Sequence, residues 1–148
     1  LTLEKKIKHD SLCMKCGESL DPADCRLLLD GAADKINTDG KPLLGELVSK
    51  MKTQLLRPRV LVSYQREPYV YAPGNVRITF DFNVRTTMYH QQFLEDKVSD
   101  ISAADDPGDM LMEVKYDGFL PQVIEDLIQC EGVRQQSFSK YSTCRRFG

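Results

Sequence analysis

Ten consecutive residues alternate without interruption between apolar and polar side chains: Val76-Arg77-Ile78-Thr79-Phe80-Asp81-Phe82-Asn83-Val84-Arg85. This alternation predicts a β-strand, because successive side chains of a strand point to opposite faces of its sheet. Two interpretations of the polar face are open. It lies in water if an antiparallel sheet buries only its apolar face. It lines a charged cavity if several such strands close into a barrel with their polar faces inward.

The composition is that of an ordinary globular protein. Of the 148 residues, 41% are hydrophobic and 28% are charged, which excludes a disordered chain. A single domain over residues 1–148 is therefore expected. We also expect a cytoplasmic protein, because no apolar run approaches the length of a membrane span and no signal peptide is visible. The formal net charge of −2 argues against a nucleic-acid partner.

Charged residues are unevenly distributed along the chain. Acidic residues concentrate in one segment, at Glu95, Asp96, Asp100, Asp105, Asp106 and Asp109. Basic residues dominate the two ends and the centre, at Lys5, Lys6, Lys8, Lys15, Arg57, Arg59, Arg66, Arg77, Arg85, Lys140, Arg145 and Arg146. A chain that is nearly neutral can therefore contain a strongly basic site.

The cysteines do not form a recognisable metal or disulfide pattern. There are five, an odd number, at Cys13, Cys16, Cys25, Cys130 and Cys144. The Cys13-x-x-Cys16 spacing is half of a zinc site, but no second pair follows and the two histidines are isolated in sequence. We interpret the thiols as incidental residues of a reduced protein.

Further strands are predicted on both sides of the opening stretch. Residues 1–8 alternate, and residues 12–15 are expected to return beside them in a hairpin that brings Lys15 close to Lys6. Residues 59–67 alternate again and join the opening stretch through a turn at Pro73-Gly74-Asn75. Residues 110–117 form the next strand, with Leu111, Glu113, Lys115 and Asp117 on its polar face. The segment 89–109 shows no period and is predicted to be a mobile connection.

Four helices are predicted. The first begins at Asp21 and Pro22 and ends at Gly31. The second runs from Pro42 towards Arg57 and Pro58 and packs on a sheet through the apolar stripe Leu43, Leu44, Leu47, Val48, Met51 and Leu55. The third opens at Gly118 and Pro121, ends near Gly132 and faces inward through Val123, Ile124, Leu127 and Ile128. The fourth is short and is capped by Ser137 or Ser139.

Three strings of residues carry a resemblance to a known family. They are Tyr71-Ala72-Pro73-Gly74-Asn75-Val76-Arg77-Ile78-Thr79, Met112-Glu113-Val114-Lys115-Tyr116-Asp117-Gly118-Phe119-Leu120-Pro121 and Phe138-Ser139-Lys140-Tyr141-Ser142-Thr143-Cys144-Arg145-Arg146-Phe147-Gly148. In this order they resemble the VTC domain, the vacuolar transporter chaperone or polyphosphate polymerase domain. That domain belongs to the CYTH-like triphosphate tunnel metalloenzymes.

The resemblance implies an α+β fold in which an antiparallel β-barrel with flanking helices encloses a tunnel for triphosphate or polyphosphate. Phosphate-binding and catalytic roles then fall on Lys6, Arg77 and Lys140, and a further phosphate-binding role on Lys15. Glu113 is implied to be both catalytic and the ligand of Mn²⁺ or Mg²⁺. Weaker candidates for phosphate binding are Arg59, Arg66, Arg85 and Lys115.

The resemblance covers only the later part of that domain. The family has a further basic set of strands at its start, with a Lys and an Arg-x-Arg pair, and the residues ahead of Leu1 that would supply them are not part of this sequence. We therefore expect an incomplete tunnel, and an inactive chain when isolated. The missing segment is expected to bind as a separate piece, or the open strand edges to self-associate.

Three functions are compatible with these residues, because phosphoryl transfer depends mainly on fixed cations and a divalent metal. The first is a polymerase that moves the terminal phosphate of a nucleoside triphosphate onto polyphosphate, and it is ranked first on the closing motifs. The second is a triphosphatase on the same site, with water as acceptor. The third is a non-catalytic module that binds polyphosphate.

Overall fold

The computed structural model describes residues 1–9, 12–102, 109–133 and 135–147. The fold is mixed α+β with antiparallel sheets. The chain divides into two compact units, which are described one by one: residues 1–59 with 89–98, and residues 60–88 with 99–148. None of the helices in the described ranges is long and apolar enough to cross a membrane.

The first unit begins with a hairpin of two antiparallel strands, β1 (Thr2–His9) and β2 (Leu12–Ser19). Strand β2 continues beyond the predicted residues 12–15. In the register of this hairpin Lys6 lies directly opposite Lys15, so the predicted proximity of these two residues is confirmed.

Helices α1 (Pro22–Leu29) and α2 (Pro42–Thr53) complete the first unit, together with short 3₁₀ helices at Ala33–Lys35 and His90–Leu94. The core of the unit contains Leu20, Cys25, Leu28, Ala33, Ile36, Leu44, Val48 and Met51. Three of these belong to the predicted stripe of α2, whereas Leu55 follows the helix and is exposed.

A carboxylate from the hairpin caps the N-terminus of α2. The two oxygens of Glu18 accept hydrogen bonds from the backbone N–H groups of Leu43 and Leu44, at 3.0 and 3.2 Å. These amides have no partner within the helix, and a negative charge at a helix N-terminus is favourable. Asp21 stands at the predicted N-cap position of α1 but makes no capping bond through its side chain. Its carboxylate instead lies 3.2 Å from Lys41 Nζ.

The second unit contains a four-stranded antiparallel sheet. Strand β4 (Val76–Thr87) pairs with β3 (Leu61–Tyr71) on one side, and with β5 (Ile101–Ser102) and β6 (Met110–Lys115) on the other. Helices α3 (Gln122–Ile128) and α4 (Lys140–Cys144) follow, and a 3₁₀ turn at Arg145–Phe147 ends the unit. Across the described ranges the strands form this sheet and the first hairpin, and the predicted closed barrel is not confirmed.

A β-bulge interrupts the alternation of β4. Ser63 pairs with Arg85, but two residues later Gln65 pairs with Phe82, so β4 contains one extra residue here. Asn83 in this bulge has a φ of 52°. Because one inserted residue moves the following side chains to the other face, Thr79 and Asp81 share their buried face with Val84 and Thr86.

The bulge corrects the predicted faces of the opening stretch. Arg85 was expected on the same face as Arg77, but its register places it on the opposite face with Phe80 and Phe82. The polar residues Thr79 and Asp81 are 2% and 1% exposed, whereas Arg77 on the same face is exposed, so this face is buried at its centre and not along its whole length. A polar face that lies entirely in water is therefore wrong, while the barrel of the other interpretation is not confirmed.

Two of the strings that resemble the family pack against each other. The turn at Pro73–Asn75 precedes β4, and its Gly74 has a φ of 74°. A Cβ at Gly74 would lie 2.6 Å from the carbonyl oxygen of Phe119, so only glycine fits. Asp117 donates its backbone N–H to the Gly74 carbonyl at 2.9 Å and accepts from the Asn75 side chain at 2.7 Å.

Helix α3 is shorter than predicted and packs through a narrower stripe. It ends at Ile128 rather than near Gly132. Of the four residues predicted to face inward, Ile124 is buried, while Val123 and Leu127 are 50% and 70% exposed. Val123 and Leu127 are four residues apart, so the side of the helix that they share is largely exposed among the described residues.

The acidic connection contains more regular structure than predicted. Its residues include the 3₁₀ helix at His90–Leu94 and strand β5. Residues 103–108, which complete the predicted mobile connection, lie outside the described residues.

Candidate functional site

The centre of the candidate site is a buried carboxylate, Asp81. Its side chain has no exposed surface. Arg66 donates two hydrogen bonds to it, from Nε to Oδ1 at 2.5 Å and from Nη2 to Oδ2 at 2.7 Å. Lys140 Nζ lies 2.5 Å from the same Oδ2. One carboxylate thus pairs with two cations.

The two cations lower the pKa of this carboxylate. Hydrogen bonds from Arg66, and to a lesser extent from Lys140, lower the pKa of Asp81 to about 2, although burial acts in the opposite direction. The hydrogen bonds to Asp81 also raise the pKa of Arg66. Asp81 is therefore ionised at neutral pH and acts as a fixed negative charge rather than as a proton donor.

Strand pairing and one short helix bring these three residues together. Arg66 lies directly opposite Asp81 in the register of β3 and β4. Lys140 is the first residue of α4, whose N-cap is Ser139, as predicted; the Ser139 hydroxyl accepts from Ser142 N–H at 3.3 Å. The helix is anchored by Cys144, which is fully buried and packs with Val84, Val60 and Val62.

An aromatic ring accompanies the two cations. The guanidinium carbon of Arg66 lies 5.2 Å from the centre of the Tyr64 ring, and Lys140 Nζ lies 4.7 Å from it. Both distances fall within the range of cation–π attraction. Tyr64 was not among the site residues predicted from the sequence, and its position two residues before Arg66 was the available signal.

The pairing of β4 with β6 extends this polar face. Thr79 lies opposite Glu113, and Arg77 lies opposite Lys115. Glu113 and Lys115 form an ion pair at 3.1 Å, with side chains that are 42% and 55% exposed. We define the cationic face by these residues: Arg66, Arg77, Thr79, Asp81, Glu113, Lys115 and Lys140. It carries four cations and two carboxylates.

Thr79 has an unusual environment within this face. Its side chain is buried, and its hydroxyl oxygen has no hydrogen-bond partner among the residues that the structure describes. Burying a hydroxyl without a partner is costly. Thr79 lies opposite Glu113 in the register of β4 and β6, and its hydroxyl has unused hydrogen-bonding capacity there.

The remaining predicted site residues are divided between the first unit and the opposite face of the sheet in the second unit. Lys6, Lys15 and Arg59 belong to the first unit, where Lys15 Nζ lies 2.6 Å from Glu4. Arg85 is paired with Asp100 at 2.7 Å on the opposite face of the sheet. The structure therefore brings together Arg77, Glu113, Lys115 and Lys140, together with Arg66, and it does not place Arg85 with them.

The first unit contains a separate ion-pair cluster. Lys5 and Lys50 both pair with Glu46, at 2.6 and 2.7 Å. Hydrogen bonds from Lys5, followed by Lys50, lower the pKa of Glu46 to about 2. Because β1 and α2 supply these residues, the cluster links the hairpin to the helix.

The acidic residues limit how a metal ion could bind. No group of three or more His, Cys, Asp or Glu side chains converges anywhere in the described ranges. Both oxygens of Asp81 are already occupied by cations. Glu113 remains as a carboxylate that fits one position of a Mg²⁺ or Mn²⁺ shell, because such ions often use one or two carboxylates together with substrate phosphates.

The comparison with models of protein families agrees with the three strings of residues quoted above. The comparison with curated proteins gave no match. The model of the VTC domain matches residues 1–147, a range that includes both units. The chain therefore belongs to the VTC domain family.

Proposed function

We propose that this chain is part of a polyphosphate polymerase, a phosphotransferase that moves the terminal phosphate of a nucleoside triphosphate onto polyphosphate. Membership of the VTC domain family supports this proposal. The observation that carries it is the cationic face, where cations from three strands and a helix lie together and two of them pair with a buried carboxylate. We include in the proposal that this face forms one wall of a tunnel.

A polyanion explains why these cations lie together. Arg66 and Lys140 both contact Oδ2 of Asp81, at 2.7 and 2.5 Å, so their nitrogens are within about 5 Å of each other. Two unit charges at about 5 Å repel by about 3 kcal/mol at an effective dielectric of about 20. The Asp81 carboxylate neutralises only one of the two positive charges. A phosphate group neutralises the other, through contacts worth about 1.5–3 kcal/mol each.

The cationic face retains donors for that phosphate. Arg66 uses Nε and Nη2 on Asp81, and its Nη1 makes no hydrogen bond within the described part of the chain. Lys140 can donate three hydrogen bonds, and its ammonium has a single carboxylate partner there. Arg77 is exposed and pairs with no carboxylate in the same ranges. These groups can neutralise charge on the transferred phosphate and orient it for attack.

Glu113 is the residue that would hold Mn²⁺ or Mg²⁺. Glu113 lies on the cationic face, opposite Thr79 in the register of β4 and β6, and its partner Lys115 is largely exposed. A divalent ion there would supply Lewis-acid polarisation of phosphate oxygens. Glu113 would hold that ion through its carboxylate, while Lys115 and Arg77 neutralise neighbouring phosphates.

The decisive experiment is product analysis. The intact protein is incubated with a nucleoside triphosphate, with Mn²⁺ or Mg²⁺ and without metal, and the products are separated by length. Polyphosphate chains that grow with time support the polymerase. Free phosphate without chains would replace it with a triphosphatase, and no turnover despite binding would replace it with a binding module.

A further inference from the structure

We propose that Asp81 is a positioning residue, which holds Arg66 and Lys140 at a fixed spacing so that both contact one phosphate group of the ligand. The inference rests on the proposed function and adds a role for a residue that does not itself bind the anion. Asp81 is negative and fully buried, so it acts through the two cations.

The first step of the argument is the shared oxygen. Arg66 Nη2 and Lys140 Nζ lie 2.7 and 2.5 Å from the same Oδ2. Without this oxygen two like charges would separate, because both side chains are long and flexible. The carboxylate therefore determines the distance between the two cations.

The second step is the rigidity of the carboxylate. Asp81 lies on the central strand of the sheet, paired with Arg66 on one side and Leu111 on the other. Its short side chain has no exposed surface, so water cannot replace either cation at low cost. Arg66 donates two hydrogen bonds to this carboxylate from its planar guanidinium, which fixes the direction of Nη1.

The third step concerns Lys140. Its backbone is held by α4, which Cys144 anchors in the apolar cluster, and its ammonium lies between Asp81 and the Tyr64 ring. Two groups therefore contact the ammonium: the Asp81 carboxylate and the Tyr64 ring. The remaining N–H groups are available to a phosphate oxygen that also accepts from Arg66.

Positioning and simple charge make different predictions. Removing a negative charge from a cationic site should strengthen the binding of any polyanion. If Asp81 positions Lys140, however, the removal of Asp81 should reduce the contribution of Lys140 to the affinity for the ligand. The quantity that separates the two is the coupling between Asp81 and Lys140 in binding, which a purely structural role of Asp81 does not change.

The test is a double-mutant cycle measured by calorimetric binding of tripolyphosphate to the intact protein at constant salt. We expect Lys140→Met to weaken binding about tenfold in the parent, and less than threefold in the Asp81→Asn background. The control background is Asp100→Asn, which removes the partner of Arg85 on the opposite face. There Lys140→Met should keep its tenfold effect.

The outcomes separate this inference from the proposed function. Equal losses on Lys140→Met in the parent and in Asp81→Asn overturn the positioning role, as does a parent effect below threefold. A parent that neither binds tripolyphosphate nor turns over a nucleoside triphosphate overturns the proposed function, and the inference with it. Binding with the expected coupling but without turnover supports the inference and overturns the polymerase.

A second background covers the case in which Asp81→Asn does not fold. Asp81→Glu keeps the charge but moves the carboxylate by one methylene group. If spacing is the function of Asp81, Lys140→Met should again cost less than threefold in this background. A full tenfold effect there shows that only the charge matters and overturns the inference.

Discussion

Replacing Asp81 with Asn should destabilise the second unit more than the loss of any surface ion pair. The change removes a negative charge from a side chain with no exposed surface and leaves Arg66 and Lys140 without their shared carboxylate. Removing one partner of a buried ion pair costs about 3–5 kcal/mol. We expect the free energy of unfolding to fall by that amount.

Urea unfolding at neutral pH measures this loss. Asp100→Asn is the matched control, because Asp100 also pairs with an arginine of β4 at 2.7 Å but the two side chains are 20% and 37% exposed. That variant should lose only about 1 kcal/mol. Tripolyphosphate at about a hundredfold excess over its Kd should restore about 2.7 kcal/mol to either variant that binds it. A loss for Asp81→Asn no larger than that for Asp100→Asn would refute the reasoning.

Four further predictions follow from the same contacts. The pKa of Asp81 is lowered to about 2 in the folded chain, so as the pH falls the unfolded chain binds a proton at this residue before the folded chain does. About 2 kcal/mol of the free energy of unfolding should therefore be present above about pH 4 and be lost as the pH falls through about 2. Urea midpoints of the parent, but not of Asp81→Asn, should show it. Arg77→Ala should weaken tripolyphosphate binding about tenfold or more, whereas Arg85→Ala, on the opposite face, should stay within twofold in the same titration. Glu113→Gln should lower turnover far more than it weakens binding, and unchanged turnover would exclude the metal role. Thr79→Val should not lower the melting temperature, because the hydroxyl is buried and has no partner in the described ranges; a clear fall in the melting temperature would mean that the hydroxyl is hydrogen-bonded to water.

Local features were predicted well from the sequence because their causes are local. The alternation of the opening stretch predicted a strand, and the Pro73-Gly74-Asn75 turn predicted its hairpin with β3. Pro22 and Gly31 predicted the two ends of α1. The face of β6 that carries Glu113 followed from simple alternation, and its register against β4 agrees. In each case neighbouring residues contain the necessary information.

The central carboxylate of the site, Asp81, could not be predicted in the same way. Asp81 was one polar residue among five on its strand, and its burial depends on Arg66, 15 residues earlier, and Lys140, 59 residues later. Arg66 was only a weaker candidate because no periodicity marks it as the partner of Asp81. The prediction that Val123 and Leu127 face inward on α3 was wrong for a related reason. Periodicity identifies apolar positions but not which of them pack against a neighbour.

The bulge at Asn83 links the error about Arg85 to the position of Lys140. Alternation continues through this position in the sequence, and the only local signal is that Asn tolerates a positive φ. If β4 alternated regularly through Asn83, Arg85 would share the face of Asp81 and Val84 would lie on the opposite face. The apolar cluster of Val84 and Cys144 anchors α4, and α4 supplies Lys140. The bulge therefore turns Arg85 away from the cationic face and turns Val84 towards the apolar cluster that anchors α4 and its Lys140.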